Sequence, residues 1–114
     1  MPVLEKIKSA YLFWYQHYLI IPKAHRYSLG QKIDNIFTES IEAIITASFL
    51  PREQKLLYIR LAIRKIDTLK IFLMILWETK SLDNKKYIAL SVKIDEIGKM
   101  IGGWSGQILK NSPK

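Results

Sequence analysis

A chain of 114 residues and 13.3 kDa is the size of one small domain. Its 18 Lys and Arg against 10 Asp and Glu leave a formal charge of +8, and 49% hydrophobic residues are too many for a disordered basic tail. Cysteine is absent, which excludes disulfides, thiol catalysis and Cys-ligated zinc, and the two histidines, His17 and His25, do not make a metal site alone.

The first segment spans Pro2 to Ile21. Leu4, Ile7, Tyr11, Trp14, Tyr18 and Ile21 step by threes and fours, a helical seam. Leu12, Phe13, Leu19 and Ile20 lie off it, so this helix is expected to need a second apolar partner, plausibly another subunit. The second segment opens after Pro22 at Ser28-Leu29-Gly30-Gln31. Ser28 and Gln31 have capping-box spacing, which predicts a helix start there. Leu29, Ile33, Ile36, Ile41, Ile44 and Ala47 or Ser48 form its stripe, and Asp34 is expected on the wet side.

Pro51 opens the third segment as a first helical residue, and the helix is expected to run to about Lys80. Leu56, Ile59, Ile63, Ile66, Leu73 and Trp77 make a heptad seam that Lys70 interrupts. In the fourth segment Asp83 is the N-cap candidate. Tyr87, Leu90, Ile94, Ile97, Ile101, Trp104 and Ile108 then run unbroken. Gly98, Gly102 and Gly106 fall four apart, and each costs a helix interior about 1 kcal/mol against alanine. Either the helix frays after Ile101, or these glycines leave a flat face for a close neighbour. The four segments predict an all-α, antiparallel up-down-up-down four-helix bundle. Residues 1–110 form the single domain and 111–114 a short tail.

Catalytic equipment is poor. Asp95 and Glu96 are adjacent, so on a helix they diverge by about 100° and share no site. Glu39 and Glu42 share a face but have no Glu-x-x-His companions for a di-iron bundle. No phosphate-cradling glycine loop is present. No enzyme activity and no cofactor are expected. The longest uncharged stretch, Ser9 to Pro22, falls short of the roughly 20 residues that span a bilayer. The start of the chain does not read as a signal peptide, so the expectation is a cytoplasmic protein without membrane association.

Charge is distributed unevenly. Residues 1–57 carry 7 basic and 5 acidic groups, and residues 58–114 carry 11 and 5. The third segment supplies Arg52, Lys55, Arg60, Arg64, Lys65 and Lys70 against Glu53 and Asp67. One reading is a solvated face laced with ion pairs, with Asp67 pairing to Arg64 or Lys70. The other is a surface for a polyanion. Lys23 and Arg26 add a basic loop, and Lys85, Lys86, Lys93 and Lys99 add charge to the fourth segment. The aromatic cluster Tyr11, Phe13, Trp14, Tyr15 and Tyr18 could stack on bases, but it coincides with an apolar helix and is expected in a core or interface.

Several strings carry a resemblance. Pro22-Lys23-Ala24-His25-Arg26-Tyr27-Ser28-Leu29-Gly30 opens the second segment, with Glu42-Ala43 in its middle. Asp67-Thr68-Leu69-Lys70 lies in the third. Tyr87-Ile88-Ala89-Leu90 and Glu96-Ile97-Gly98-Lys99-Met100-Ile101-Gly102-Gly103-Trp104 mark the fourth. The sequence resembles the accessory variability determinant family of diversity-generating retroelements. That family merges with four-helix-bundle proteins encoded in intervening sequences of ribosomal RNA. The resemblance covers about Leu4 to Leu109, and the glycine-rich string is its most specific part. It implies a homo-oligomer, a barrel-like pentamer, without catalysis of its own. It also implies binding of the element's reverse transcriptase and of RNA or DNA without strong sequence specificity, in support of mutagenic reverse transcription.

By position, the resemblance assigns function to Lys70, to Lys99 of the glycine-rich motif, and to Lys23 and Arg26 of the first loop. Met74 departs from it, since some members carry a second basic residue there. With Arg60, Arg64 and Lys65, these residues form the expected nucleic-acid or partner surface. Gly98, Gly102, Gly103 and Trp104 form the structural motif, with Trp104, Ile97 and Ile101 holding the core. The alternative reading is a bundle of the intervening-sequence type with no polymerase partner. A third is a structural oligomer resting on an anionic membrane through the first segment.

Overall fold

The computed structural model describes residues 2–110, so the tail expected at 111–114 lies outside the described residues. Among these residues there are four long helices and no strand: α1 (Pro2–Tyr18), α2 (Gln31–Phe49), α3 (Arg52–Glu78) and α4 (Asn84–Lys110). Contacts between them fix their directions. Lys6 meets Glu96 and Tyr11 meets Asp34. Glu39 meets Lys65, and Lys70 meets Asp95. Second contacts along the same interfaces set the sense: Phe13 meets Lys93, Tyr18 lies against Gly30, Lys55 reaches Ala47 and Arg52 reaches Ile108, so one residue number falls as the other rises and neighbouring helices are antiparallel. The body measures 51 × 22 × 20 Å. Its length matches the roughly 40 Å of a 27-residue helix plus the turns that cap it.

The core follows helical periodicity. Ile7, Trp14 and Ala10 of α1 meet Ile33, Phe37 and Ile44 of α2, and Ile59, Ile66, Leu69 and Leu73 of α3 close the far side. Leu90, Ile94, Ile97, Ile101 and Ile108 of α4 are all buried, as the unbroken run predicts. Trp104 is half-buried and packs against this core from its edge.

The third helix differs from its predicted seam. Its buried residues are Ile59, Ala62, Ile66, Leu69, Leu73 and Leu76, which also step by threes and fours. Apolar residues occupy both rows of α3, Ile63 and Trp77 on the predicted seam and Leu69 and Leu76 on the true one, so periodicity alone does not choose between them. The true stripe has no interruption, and Lys70 lies at its margin facing α4.

Helix starts and ends hold further corrections. α1 ends at Tyr18 rather than Ile21, although Ile21 is buried. The second segment begins at Lys23, not at a Ser28 cap. A turn at Lys23–His25 runs into a π-helical turn at Arg26–Gly30 and then into α2. Ser28 is therefore inside helical backbone. Its hydroxyl donates backward to the Ala24 carbonyl (3.2 Å) instead of capping a forward N–H. The wider π turn admits the Tyr18 ring, which lies where a Cβ on Gly30 would meet it at 3.1 Å. Pro51 stands at the N-cap of α3, one place earlier than predicted.

α3 ends in a Schellman turn without glycine. Ser81 N–H donates to Leu76 O (3.1 Å), Lys80 N–H donates to Trp77 O (2.9 Å), and Lys80 adopts φ 64°. Asp83 caps α4 as predicted, with Oδ1 accepting the Lys86 N–H at 2.8 Å. That bond holds the Asp83 carboxyl below its ordinary value. Fraying after Ile101 does not occur, because α4 continues to Lys110.

Candidate nucleic-acid interface

Once α3 buries its Ile59–Leu76 stripe, Arg60 and Arg64 point to solvent from the opposite face. They sit one turn apart and make no ion pair among the described residues. On the neighbouring α4, Lys99 is exposed and equally unpaired. Lys70 and Lys99 line one shallow groove between α3 and α4, together with Ile63, Asp67, Asp95 and Gly98. At the end of the bundle where α1 and α3 finish, Lys23, Lys80 and Lys85 are exposed without ion pairs among the described residues.

The remaining predicted cations are engaged. Lys65 Nζ lies 2.7 Å from Glu39 Oε1, bridging α2 and α3. Lys70 Nζ lies 3.3 Å from Asp95 Oδ1 and 4.0 Å from Asp67 Oδ1. Asp67 thus reaches Lys70, one of its two predicted partners. Arg26 turns inward, where Nε and Nη2 donate to the Ile21 carbonyl at 3.2 and 3.0 Å. Its own carbonyl accepts the Tyr18 hydroxyl (3.4 Å), so Arg26 locks the α1–α2 connection. Lys55 is also structural. Its ammonium donates to the Ala47 and Ser48 carbonyls (2.7 and 3.2 Å), capping the negative end of α2, and stands 6.0 Å from the Trp104 ring centroid.

The glycines divide into two kinds. Gly98 faces α3, where a Cβ would make ordinary van der Waals contact with Lys70 Nζ at 3.5 Å and Ile66 Cγ2 at 3.8 Å. Gly102, Gly103 and Gly106 have nothing within 4 Å of a Cβ position and leave a bare strip of helix open to solvent. Exposed apolar side chains lie elsewhere on the surface: Leu12, Leu19 and Ile20 after the α1 seam, Ile88 and Val92 on α4, and Phe49 at the end of α2, 84% exposed. The surplus expected on the first segment is therefore largely outside the core, except that Phe13 is half-buried under Lys93.

The partners of three carboxylates escaped sequence reasoning. Asp34, expected to be wet, accepts hydrogen bonds from Tyr11 Oη (2.9 Å) and Trp14 Nε1 (3.2 Å). Burial and that carboxylate together push the Tyr11 pKa up to about 12. Asp95 and Glu96 do diverge, as their spacing requires, but each finds a different helix: Asp95 reaches Lys70 of α3 and Glu96 reaches Lys6 of α1. Only the lateral order of the helices could have revealed those partners.

No cluster of three or more His, Asp or Glu able to hold a metal forms among the described residues, and no described helix is long and apolar enough to cross a membrane. No curated protein matches the sequence. A family model described as bAvd-like matches residues 3–108, a span that takes in all four helices and the glycine-rich string of α4. This chain belongs to the bAvd-like family, whose relation to the accessory variability determinants agrees with the resemblance carried by its motifs.

Proposed function

We infer that this protein is the non-catalytic accessory subunit of a diversity-generating retroelement. It binds the element's reverse transcriptase and its template RNA or cDNA in the cytoplasm and supports mutagenic copying. The family match over residues 3–108 carries this reading. The exposed, unpaired Arg60, Arg64 and Lys99 supply a physical means, since cations without protein partners are free to replace the counterions of a phosphate backbone. Lys23 extends the same potential toward the end of the bundle. The working unit is the domain of residues 1–110, assembled as a homo-oligomer, a pentamer by family resemblance. Such a ring multiplies a charge of +8 per chain fivefold. A field of that size draws nucleic acid strongly and without sequence preference.

The test is co-purification of the tagged full chain with the reverse transcriptase encoded beside its gene, before and after nuclease treatment. Retention of the polymerase supports the reading. RNA binding without any polymerase partner replaces it with the intervening-sequence type of bundle. Absence of both overturns it, and flotation with anionic liposomes in that case favours the membrane-resting oligomer.

A further inference from the structure

Lys70 is the most encumbered cation of the groove. Its ammonium has three N–H donors, and two carboxylates face it: Asp95 at 3.3 Å from α4 and Asp67 at 4.0 Å from its own helix. The lysine lies over Gly98 of α4, its ammonium 3.5 Å from where a Cβ would stand, an ordinary contact distance. Its side chain is 39% exposed, so the pair with Asp95 is less fully screened than one between two solvated side chains. Charge around this point sums to −1 for Lys70, Asp67 and Asp95. Six and ten residues earlier on α3, Arg64 and Arg60 carry +2 on the face turned to solvent, with no ion pair among the described residues. A phosphate reaching Lys70 meets two carboxylates first. A lysine held by carboxylates contacts no phosphate and displaces none of the counterions condensed on the nucleic acid, so it adds nothing to the salt dependence of binding.

We propose that Asp95 holds Lys70 in reserve, so that polyanion binding rests on Arg60, Arg64 and Lys99 and gains Lys70 only when the Asp95 carboxylate is removed or drawn away. This rests on the nucleic-acid reading above and adds to it a residue that limits affinity. Asp95 is the key member because it ties α3 to α4 at the shorter distance, whereas Asp67 follows Lys70 on the same helix.

The experiment measures anisotropy of a labelled single-stranded RNA bound to the full chain over a series of salt concentrations. Asp95→Asn tightens binding about two- to fivefold, the range set by loss of one partly exposed ion pair. It also steepens the log–log salt slope by somewhat under one unit, as one added phosphate contact requires. Lys70→Met alone changes neither quantity, and in the Asp95→Asn background it abolishes the gain. Glu42→Gln makes the same charge change at an exposed acid with no ion pair among the described residues, and leaves the slope unchanged. Asp95→Ala repeats the gain, and circular dichroism verifies that each variant is folded.

If the gain survives Lys70→Met, or Glu42→Gln reproduces it, the effect is one of net charge and the proposal falls. It falls equally if Lys70→Met weakens the wild type as much as it weakens Asp95→Asn. Salt-dependent binding by the wild type with no gain in Asp95→Asn overturns this proposal alone. A wild type that binds no RNA overturns the nucleic-acid reading as well.

Discussion

His17 packs its ring edge-on against Phe13 at 4.6 Å, with Nε2 buried and without a hydrogen-bond partner among the described residues. Burial, then the nearby Lys86 ammonium, hold its pKa below 6.5, while Asp83 opposes them. The fold therefore prefers the neutral ring. A histidine with a depressed native pKa leaves more protons on the unfolded chain, so stability rises with pH through that window. Stability is full above pH 6.5, falls as pH drops below it, and levels off once the native ring also takes its proton. Urea unfolding between neutral pH and the onset of carboxylate titration should show this slope, and His17→Asn should flatten it. At the same scale, Asp34 shows how a surface pattern conceals a structural group. Its carboxylate satisfies both Tyr11 and Trp14, so Asp34→Ala would strand the indole N–H of a fully buried side chain at a cost of about 1–3 kcal/mol, read as a lower denaturation midpoint.

Among the elements, α4 combines an unbroken core row with a bare strip at Gly102, Gly103 and Gly106. Helix persists there because Ile101, Trp104 and Ile108 anchor the last two turns to the core, and their packing outweighs the entropic cost of glycine. Gly106→Ala meets no steric obstacle among the described residues, so it should stabilise the single chain by about 0.5–1 kcal/mol. Denaturation at low protein concentration measures this. A loss of stability, or weaker assembly on sedimentation, would place another chain against this face. α3 has the contrasting arrangement, with one side buried, one side bearing Arg60 and Arg64, and each flank ion-paired to a neighbouring helix through Lys65 or Lys70.

For the whole molecule, paired and unpaired charge do different things. The ion pairs among the described residues all lie at half-exposed or exposed side chains, where each contributes about 0–1 kcal/mol and screens readily. The unpaired cations set the field that a polyanion meets. Arg60→Ala with Arg64→Ala should weaken RNA binding and reduce the log–log salt slope by up to about 1.5 units, while the circular dichroism of the bundle stays unchanged. Affinity titrations at several salt concentrations check both.

Most of the bundle was legible in the sequence. Helical class, four segments, the Asp83 cap and the complete core row of α4 follow from local periodicity and short-range hydrogen bonding, which depend on residues three or four apart. The motif strings were also sufficient for the family. What local pattern misjudged was the core row of α3, since apolar residues such as Ile63 and Leu69 occupy two adjacent rows, and the entry to α2, since a π turn beside Tyr18 takes the place of the Ser28 cap. Only the tertiary structure decided which cations are spoken for. Composition counts Arg26, Lys65, Lys70 and Arg60 alike, yet one locks a loop, two lie against carboxylates and one has no ion pair among the described residues. That division depends on which helix lies beside which, because an ammonium held within about 4 Å of a carboxylate from another helix behaves differently from one held only by water.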